Sequence, residues 1–183
     1  MAYLTVFVLI TAMIGCGAEQ EPPPPPPEPT ATPFGAIEEV EKYMQAIDPY
    51  IRQVSDIQRK MYEVVGTSNV ATGQNLAQFI VETEAIKGLQ TSIESFNGIV
   101  PPALLAPLHR DIEKMLVLRL EGFKLTLQGR EAAATKSPGD QYTQATGKLE
   151  EANAITIGLN DRLKEVNQAV HSIREQQQAS SSP

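Results

Sequence analysis

Residues 35–66, GAIEEVEKYMQAIDPYIRQVSDIQRKMYEVVG, decide the fold of this chain. Apolar residues recur here at alternating spacings of three and four, which is the pattern of one face of an α-helix. Because this register is kept across Pro49, we expect one helix with a kink at that residue. One position of the apolar seam is polar, Gln58, and the others are Ile37, Val40, Met44, Ile47, Ile51, Val54, Met61 and Val65.

Three later stretches repeat this period. Pro101-Pro102 separates the second stretch from the third, and Ser137-Pro138 is a helix-start signal for the fourth. No apolar alternation of period two occurs, so we expect no sheet. The predicted helices cover about residues 35–66, 73–97, 102–132 and 138–177.

Long amphipathic helices joined by short loops favour a helical bundle. We therefore predict an all-α domain over residues 35–177, folded as an up-down-up-down four-helix bundle with coiled-coil-like seams. The polar residues 178–183 are expected to form a disordered tail.

The composition excludes several classes of function. The 183 residues carry a formal net charge of −7, which repels phosphate backbones, so we expect no nucleic-acid binding. A single Cys excludes an internal disulfide and a CxxC site. The sequence has no nucleophile elbow, no phosphate-binding loop and no HExxH motif. We therefore predict that the protein is not an enzyme and uses no cofactor or metal.

The amino terminus has the pattern of a signal peptide over residues 1–15. Its apolar run from Tyr3 to Ile14 spans roughly 20 Å as a helix, which is shorter than the ~30 Å hydrocarbon layer of a membrane. The sequence Met13-Ile14-Gly15-Cys16 resembles the lipobox of bacterial lipoproteins. The resemblance implies cleavage before Cys16, a lipid on its sulfur, and a place on the extracytoplasmic side of the bacterial cell envelope. An ordinary secretory signal and a short membrane anchor are the alternatives.

Residues 16–34 are predicted to be a disordered, Pro-rich tether. The six consecutive prolines from Pro22 to Pro27 cannot donate backbone hydrogen bonds, so they favour extended polyproline II. At ~3.1 Å per residue the segment reaches at most ~55 Å, enough to hold a domain away from a membrane. A ligand for a proline-binding groove is the alternative interpretation.

The start of the third helix carries a second resemblance. Residues 100–109, VPPALLAPLH, are similar to a pattern in uncharacterised bacterial lipoproteins with helical-bundle domains. The resemblance implies the same kind of domain, and it implies no activity.

Polar residues of three predicted helices are expected to meet in one layer. Folding the chain antiparallel about the predicted turns brings Gln58 and Arg119 level with Glu82. We predict an ion pair between Arg119 and Glu82, with Gln58 within hydrogen-bond reach of one of them. The same construction places His109 level with Gln90, as a weaker pair. The layer either fixes helix register and choice of neighbour, or forms a polar floor for a ligand.

A partner surface is predicted on the third helix. Val117, Leu118 and Leu125 point away from its apolar stripe, so we expect them to form an exposed apolar patch. Such a patch would suit contact with another envelope protein.

Two functions follow from these patterns. The first is a membrane-anchored lipoprotein, attached through Cys16, whose bundle is an interaction or structural module. The alternative is a binding module that takes an apolar or amphipathic small molecule in the bundle core. A connected void of several hundred cubic ångströms in the core would favour the alternative.

Overall fold

A computed structural model describes residues 30–65, 73–134 and 140–180. The predicted signal peptide, Cys16 and most of the predicted tether lie outside the described residues. The described part of the chain is mostly helical, and the predicted all-α class is confirmed. Its helices are α1 (Ile37–Val65), α2 (Gly73–Glu82), α3 (Ala85–Phe96), α4 (Ala106–Ala134) and α5 (Gln141–Ser180).

Helix α1 runs unbroken through Pro49, as the apolar register predicts. Pro49 is exposed, so its ring meets solvent on the side away from the core. Glu38 and Glu39 stand in the first turn, where carboxylates interact favourably with the helix dipole.

The second predicted helix, residues 73–97, is wrong as a single element, because the chain divides it into α2 and α3. Glu84 separates them with left-handed backbone angles, φ 48° and ψ 34°. Such a conformation costs roughly 1–2 kcal/mol for a residue other than glycine. The buried residues on either side, Ile80 and Ala85, are five positions apart, which breaks the three-four spacing. The interruption lets both short helices turn their apolar faces to the core.

A small hairpin precedes α1. Strands β1 (Ala31–Thr32) and β2 (Gly35–Ala36) pair antiparallel, with Ala31 opposite Ala36. The hydroxyl of Thr32 donates to the carbonyl of Gly35 over 3.1 Å and accepts from the amide of Phe34 over 3.0 Å. The tether is predicted to end at residue 34, but residues 31–34 belong to this hairpin and are held by side-chain and backbone hydrogen bonds.

Helix α4 lies at the centre of the helical domain. It packs along α5 and also against α2 and α3. Two glycines permit the close approach to α5: a Cβ atom on Gly122 would lie 2.8 Å from Leu149, and one on Gly129 would lie 2.9 Å from Tyr142. The buried residues of α4 are Leu108, Ile112, Met115, Leu116, Leu118, Arg119, Gly122, Phe123, Thr126 and Gly129.

Helices α4 and α5 run antiparallel, and ion pairs cross between them. Lys114 pairs with Glu151 over 2.8 Å, and Lys148 pairs with Glu121 over 2.8 Å. Helix α5 continues to Ser180, so the predicted disordered tail begins too early at residue 178.

Candidate functional site

Arg119 is the largest side chain of the described residues that is fully buried, with an exposure of 0%. Helical spacing explains its position, since it stands four residues after Met115 and four before Phe123, and both of these are buried. Burial lowers the pKa of its guanidinium from the usual value. A guanidinium stays charged in proteins, so the core holds a cation here.

Neutral oxygens of two other helices surround one end of this cation. Nη2 of Arg119 donates to Oε1 of Gln58 on α1 over 3.2 Å. It also donates to Oδ1 of Asn153 and Oγ1 of Thr156 on α5, each over 3.1 Å. Nε and Nη1 are buried and have no hydrogen-bond partner among the described residues. Of the five N–H groups of the guanidinium, the three on Nε and Nη1 are therefore idle.

The predicted ion pair between Arg119 and Glu82 does not form. Glu82 is exposed on α2, and its carboxylate accepts a hydrogen bond from Gln78 over 2.7 Å. No carboxylate of the described part of the chain lies within ion-pair distance of Arg119. The physical reason is rotational: Arg119 turns toward α1 and α5, whereas Glu82 turns to solvent. The antiparallel register placed Gln58 correctly, and it gave no information on Asn153 and Thr156.

His109 also has partners that differ from those predicted. Gln90 is exposed, and His109 instead stacks on Phe96 with ring centroids 4.3 Å apart and planes 15° apart. The hydroxyl of Tyr43 on α1 lies 3.3 Å from Nδ1 of His109. Tyr50 completes the cluster by an edge contact with Phe96, at 5.4 Å between centroids. We call these four residues the aromatic cluster.

Burial fixes the protonation of the two polar members of this cluster. It raises the pKa of the Tyr43 hydroxyl well above its usual value, so that group is a hydrogen-bond donor. Burial lowers the pKa of His109, and the charge of Glu113 acts in the opposite direction. The lowered pKa favours the neutral imidazole of His109, whose Nδ1 exchanges a hydrogen bond with the Tyr43 hydroxyl in a direction set by its tautomer.

The predicted partner surface of Val117, Leu118 and Leu125 is wrong. Leu118 is buried, and the other two are half-buried. Lys114 and Glu121, on the same side of α4, pair with residues of α5. Helix α5 therefore covers the face that the sequence analysis assigned to solvent.

Exposed apolar residues lie instead in the connection between α3 and α4. Val100 is 88% exposed and Leu104 is 64% exposed. Next to them is a cleft of about 660 Å³, whose other wall is the start of α1 around Tyr43. The first described residues also lie at this start of α1, where the amide of Ile37 donates to the carbonyl of Thr30 over 3.1 Å. We call Val100 and Leu104 the entry-end patch.

The entry-end patch could not be found from helical periodicity. Both residues stand outside the long helices, beside Pro101-Pro102, and periodicity assigns no face to such positions. The available signal was two aliphatic residues, Ile99 and Val100, placed directly before a double proline.

A second cleft, of about 560 Å³, lies between α1 and α5. It opens on the surface, since exposed residues such as Tyr62 form part of its wall. Its lining residues carry polar groups but present mostly apolar surface, and they are Ser55, Gln58, Arg59, Tyr62, Glu63, Thr156 and Asn160. Gln58 and Thr156 also contact Arg119, so Arg119 lies directly beneath the floor of this cleft.

Within residues 30–65, 73–134 and 140–180, no three His, Cys, Asp or Glu side chains are grouped so that they could hold a metal ion. None of the described helices is both long enough and apolar enough to span a membrane.

Comparison with known proteins gives no significant match to a family model, to a curated protein or to a solved structure. A function for this chain is therefore inferred from its own sequence and geometry.

Proposed function

We propose that the protein is a lipoprotein of the bacterial cell envelope, anchored through a lipid on Cys16, whose helical domain is an interaction module for another envelope protein. Support for the anchor comes from the lipobox-like residues 13–16 and the Pro-rich segment that follows. The described helices are also consistent with the up-down-up-down bundle, if α2 and α3 together count as its second helix.

One observation carries the interaction function: the entry-end patch exposes Val100 and Leu104 beside the cleft whose other wall is the start of α1. An apolar side chain that is 88% exposed gains the full transfer free energy when a partner covers it. The adjacent 660 Å³ cleft offers a concave surface beside it. A partner in the envelope would reach this end of the domain within the length of the tether.

The anchor is tested by metabolic labelling with an alkyne fatty acid. We expect wild-type protein to be labelled and the Cys16→Ser variant to be unlabelled, because one sulfur carries the lipid. Label retained by Cys16→Ser would contradict the anchor. Binding of the chain to membranes without any label would favour the uncleaved-anchor alternative.

The interaction is tested by photocrosslinking in cells, with a benzophenone side chain at position 100. We expect a discrete crosslinked product from this position. The matched control places the same group at Ile157 on α5, which is 69% exposed but lies away from the entry end. Equal crosslinking from both positions, or none from position 100, would contradict the proposed surface.

A second function, binding of a small molecule by the helical domain, is supported by a different observation. Arg119 is buried without an anionic partner among the described residues, and three of its N–H groups are idle. Uncompensated buried cations are costly, so a ligand that supplies the missing charge would be bound favourably.

A further inference from the structure

We propose that the cleft between α1 and α5 binds a small monocarboxylate, and that the guanidinium of Arg119 is the counter-ion of its carboxylate. The inference rests on the proposed small-molecule function and does not depend on the lipid anchor or on the entry-end patch. Two observations carry it: a cleft whose floor contacts Arg119, and a fully buried cation with idle N–H groups.

A ligand on the floor of the cleft lies next to the guanidinium end of the Arg119 side chain. Gln58 and Thr156 line the cleft, and both accept from Nη2 of Arg119, over 3.2 and 3.1 Å. Nη2 has two N–H groups and three acceptors, so one acceptor can leave without an unpaired donor on that nitrogen. Gln58 is half-buried and has a long, flexible side chain, so it is the acceptor that we expect to move.

The chemistry of a guanidinium selects the ligand group. Nη2 shares one edge of the planar group with Nη1 and the other edge with Nε, and both of these nitrogens are idle. A carboxylate can replace Gln58 by placing one oxygen where Oε1 of Gln58 now lies. Its second oxygen then accepts a hydrogen bond from an idle N–H of Arg119. Such two-point pairs with an ionised acceptor are shorter and stronger than the present bonds to neutral acceptors.

The charges around the cleft set the charge of the ligand. Arg59 is already flanked by Asp56 at 3.0 Å and Glu63 at 3.3 Å. Among the described residues near the cleft, Arg119 is thus the cation that lacks a negative partner. Arg59, Asp56 and Glu63 together carry a net charge of −1, and Arg119 brings the sum to zero. A monocarboxylate adds one negative charge near Glu63 and a phosphate dianion adds two, so repulsion favours the monocarboxylate.

The remaining walls offer a ligand both polar groups and apolar surface. Asn160 is exposed at the cleft, and Glu63 offers carboxylate oxygens that accept from hydroxyl or amino groups. The exposed ring of Tyr62 provides the apolar contact. Short hydroxy acids combine these features, so L-lactate is a suitable probe and lactamide is its neutral control.

The experiment follows the side-chain Nε–H signal of Arg119 in a ¹⁵N–¹H NMR spectrum of the full chain, assigned by its loss in Arg119→Gln. We expect a saturable shift with L-lactate, and none with lactamide or with sodium chloride at equal ionic strength. Absence of a saturable shift would overturn the proposal. An equal shift with lactamide would also overturn it, while leaving small-molecule binding itself in place. A shift with chloride alone would mean that the site is a general anion site.

A substitution at Gln58 provides the second readout. Gln58→Glu places a permanent carboxylate beside Arg119, so we expect lactate affinity to fall roughly 10- to 100-fold. This variant supplies a counter-ion and is expected to keep the fold. Gln45→Glu, an exposed position on the same helix, adds the same charge and should leave the affinity unchanged. Unchanged affinity in Gln58→Glu would contradict the proposed position of the ligand.

Discussion

Two basic side chains of α4, His109 and Arg119, stand ten residues apart and both face α1, yet the structure accommodates them differently. His109 belongs to the aromatic cluster, whereas Arg119 forms what we call the Arg119 layer with its acceptors Gln58, Asn153 and Thr156. His109 is stacked on Phe96 and hydrogen-bonded to the Tyr43 hydroxyl, and burial lowers its pKa, which favours the neutral form. Arg119 cannot lose its charge, and its contacts are neutral oxygens. The aromatic cluster is therefore a completed structural contact, whereas the Arg119 layer lacks an anion.

The comparison teaches that burial alone does not identify a functional group. A titratable residue that becomes neutral needs only packing and one hydrogen bond. A residue with a permanent charge needs a counter-charge, and where the described residues supply none, a ligand is a physical candidate.

The largest expected effect concerns the packing of the aromatic cluster. Phe96 is fully buried and contacts both His109 and Tyr50. Phe96→Ala should lower the free energy of unfolding by about 3–5 kcal/mol, because it removes a buried ring and leaves a cavity. Urea unfolding followed by circular dichroism measures the change.

The control for Phe96 is Val100→Ala, which shortens an exposed side chain near the same end and should stay within about 0.5 kcal/mol of wild type. A loss below about 1 kcal/mol for Phe96→Ala would contradict the assignment of the cluster to the structural core.

The second effect has the opposite sign. Arg119→Met removes a buried charge and keeps most of the side-chain length, so the free energy of unfolding should rise by about 1–2 kcal/mol in the absence of ligand. Gln58 and Thr156 line the cleft, where water can replace the lost donor. The same urea titrations measure the effect.

Lys114→Met is the comparison for Arg119→Met. It breaks a half-exposed pair with Glu151 and should cost less than about 1 kcal/mol. If Arg119→Met destabilises the protein more than Lys114→Met, the Arg119 layer is a completed contact like the aromatic cluster.

The third effect tests the hydrogen bond of the aromatic cluster. Tyr43→Phe keeps the ring and removes the hydroxyl that lies 3.3 Å from Nδ1 of His109. The free energy of unfolding should fall by about 1 kcal/mol, the usual net contribution of such a bond. Tyr50→Phe, which keeps the edge contact with Phe96, is the matched control, and an equal loss in both variants would argue against the bond.

The smallest effect is the pH dependence from His109. Because its pKa is lower in the folded protein, the unfolded chain binds the proton more readily, with an ordinary pKa of about 6.5. The stabilisation is present above that pH and is lost as the pH falls through the folded pKa. His109→Phe should reduce the difference between urea midpoints at pH values above and below this window.

His171→Asn changes an exposed histidine of α5 and is the control for His109→Phe. An unchanged pH difference in His109→Phe would contradict the lowered pKa of this half-buried histidine.

Much of the helical layout could be predicted from the sequence. The seam of α1 through Pro49 and the start of a helix after Pro102 follow from spacing and from proline chemistry. The break at Glu84 could not be predicted, since no glycine or proline marks it. Only the packing of α2 and α3 against α4 makes that strained residue acceptable.

The candidate site was predicted in part. The antiparallel register predicted that Gln58 lies near Arg119, because the height of a residue along the helix axis follows from the number of residues. The register does not give the rotation of each helix about its own axis. The predicted pair of Arg119 and Glu82 is therefore wrong, because Glu82 lies on the solvent side of α2. The partners on α5, Asn153 and Thr156, carry no sequence signal that separates them from other polar positions.

The sequence by itself determined the class of the domain, since the period of apolar residues fixes the helices and one face that each of them buries. It also carries the residues 13–16 on which the proposed anchor depends. Tertiary structure alone decided which faces stay covered. Helix α4 has neighbours on several sides, so Leu118 is buried although it points away from the apolar stripe. The physical reason is that periodicity describes one helix, whereas burial depends on how many helices surround it.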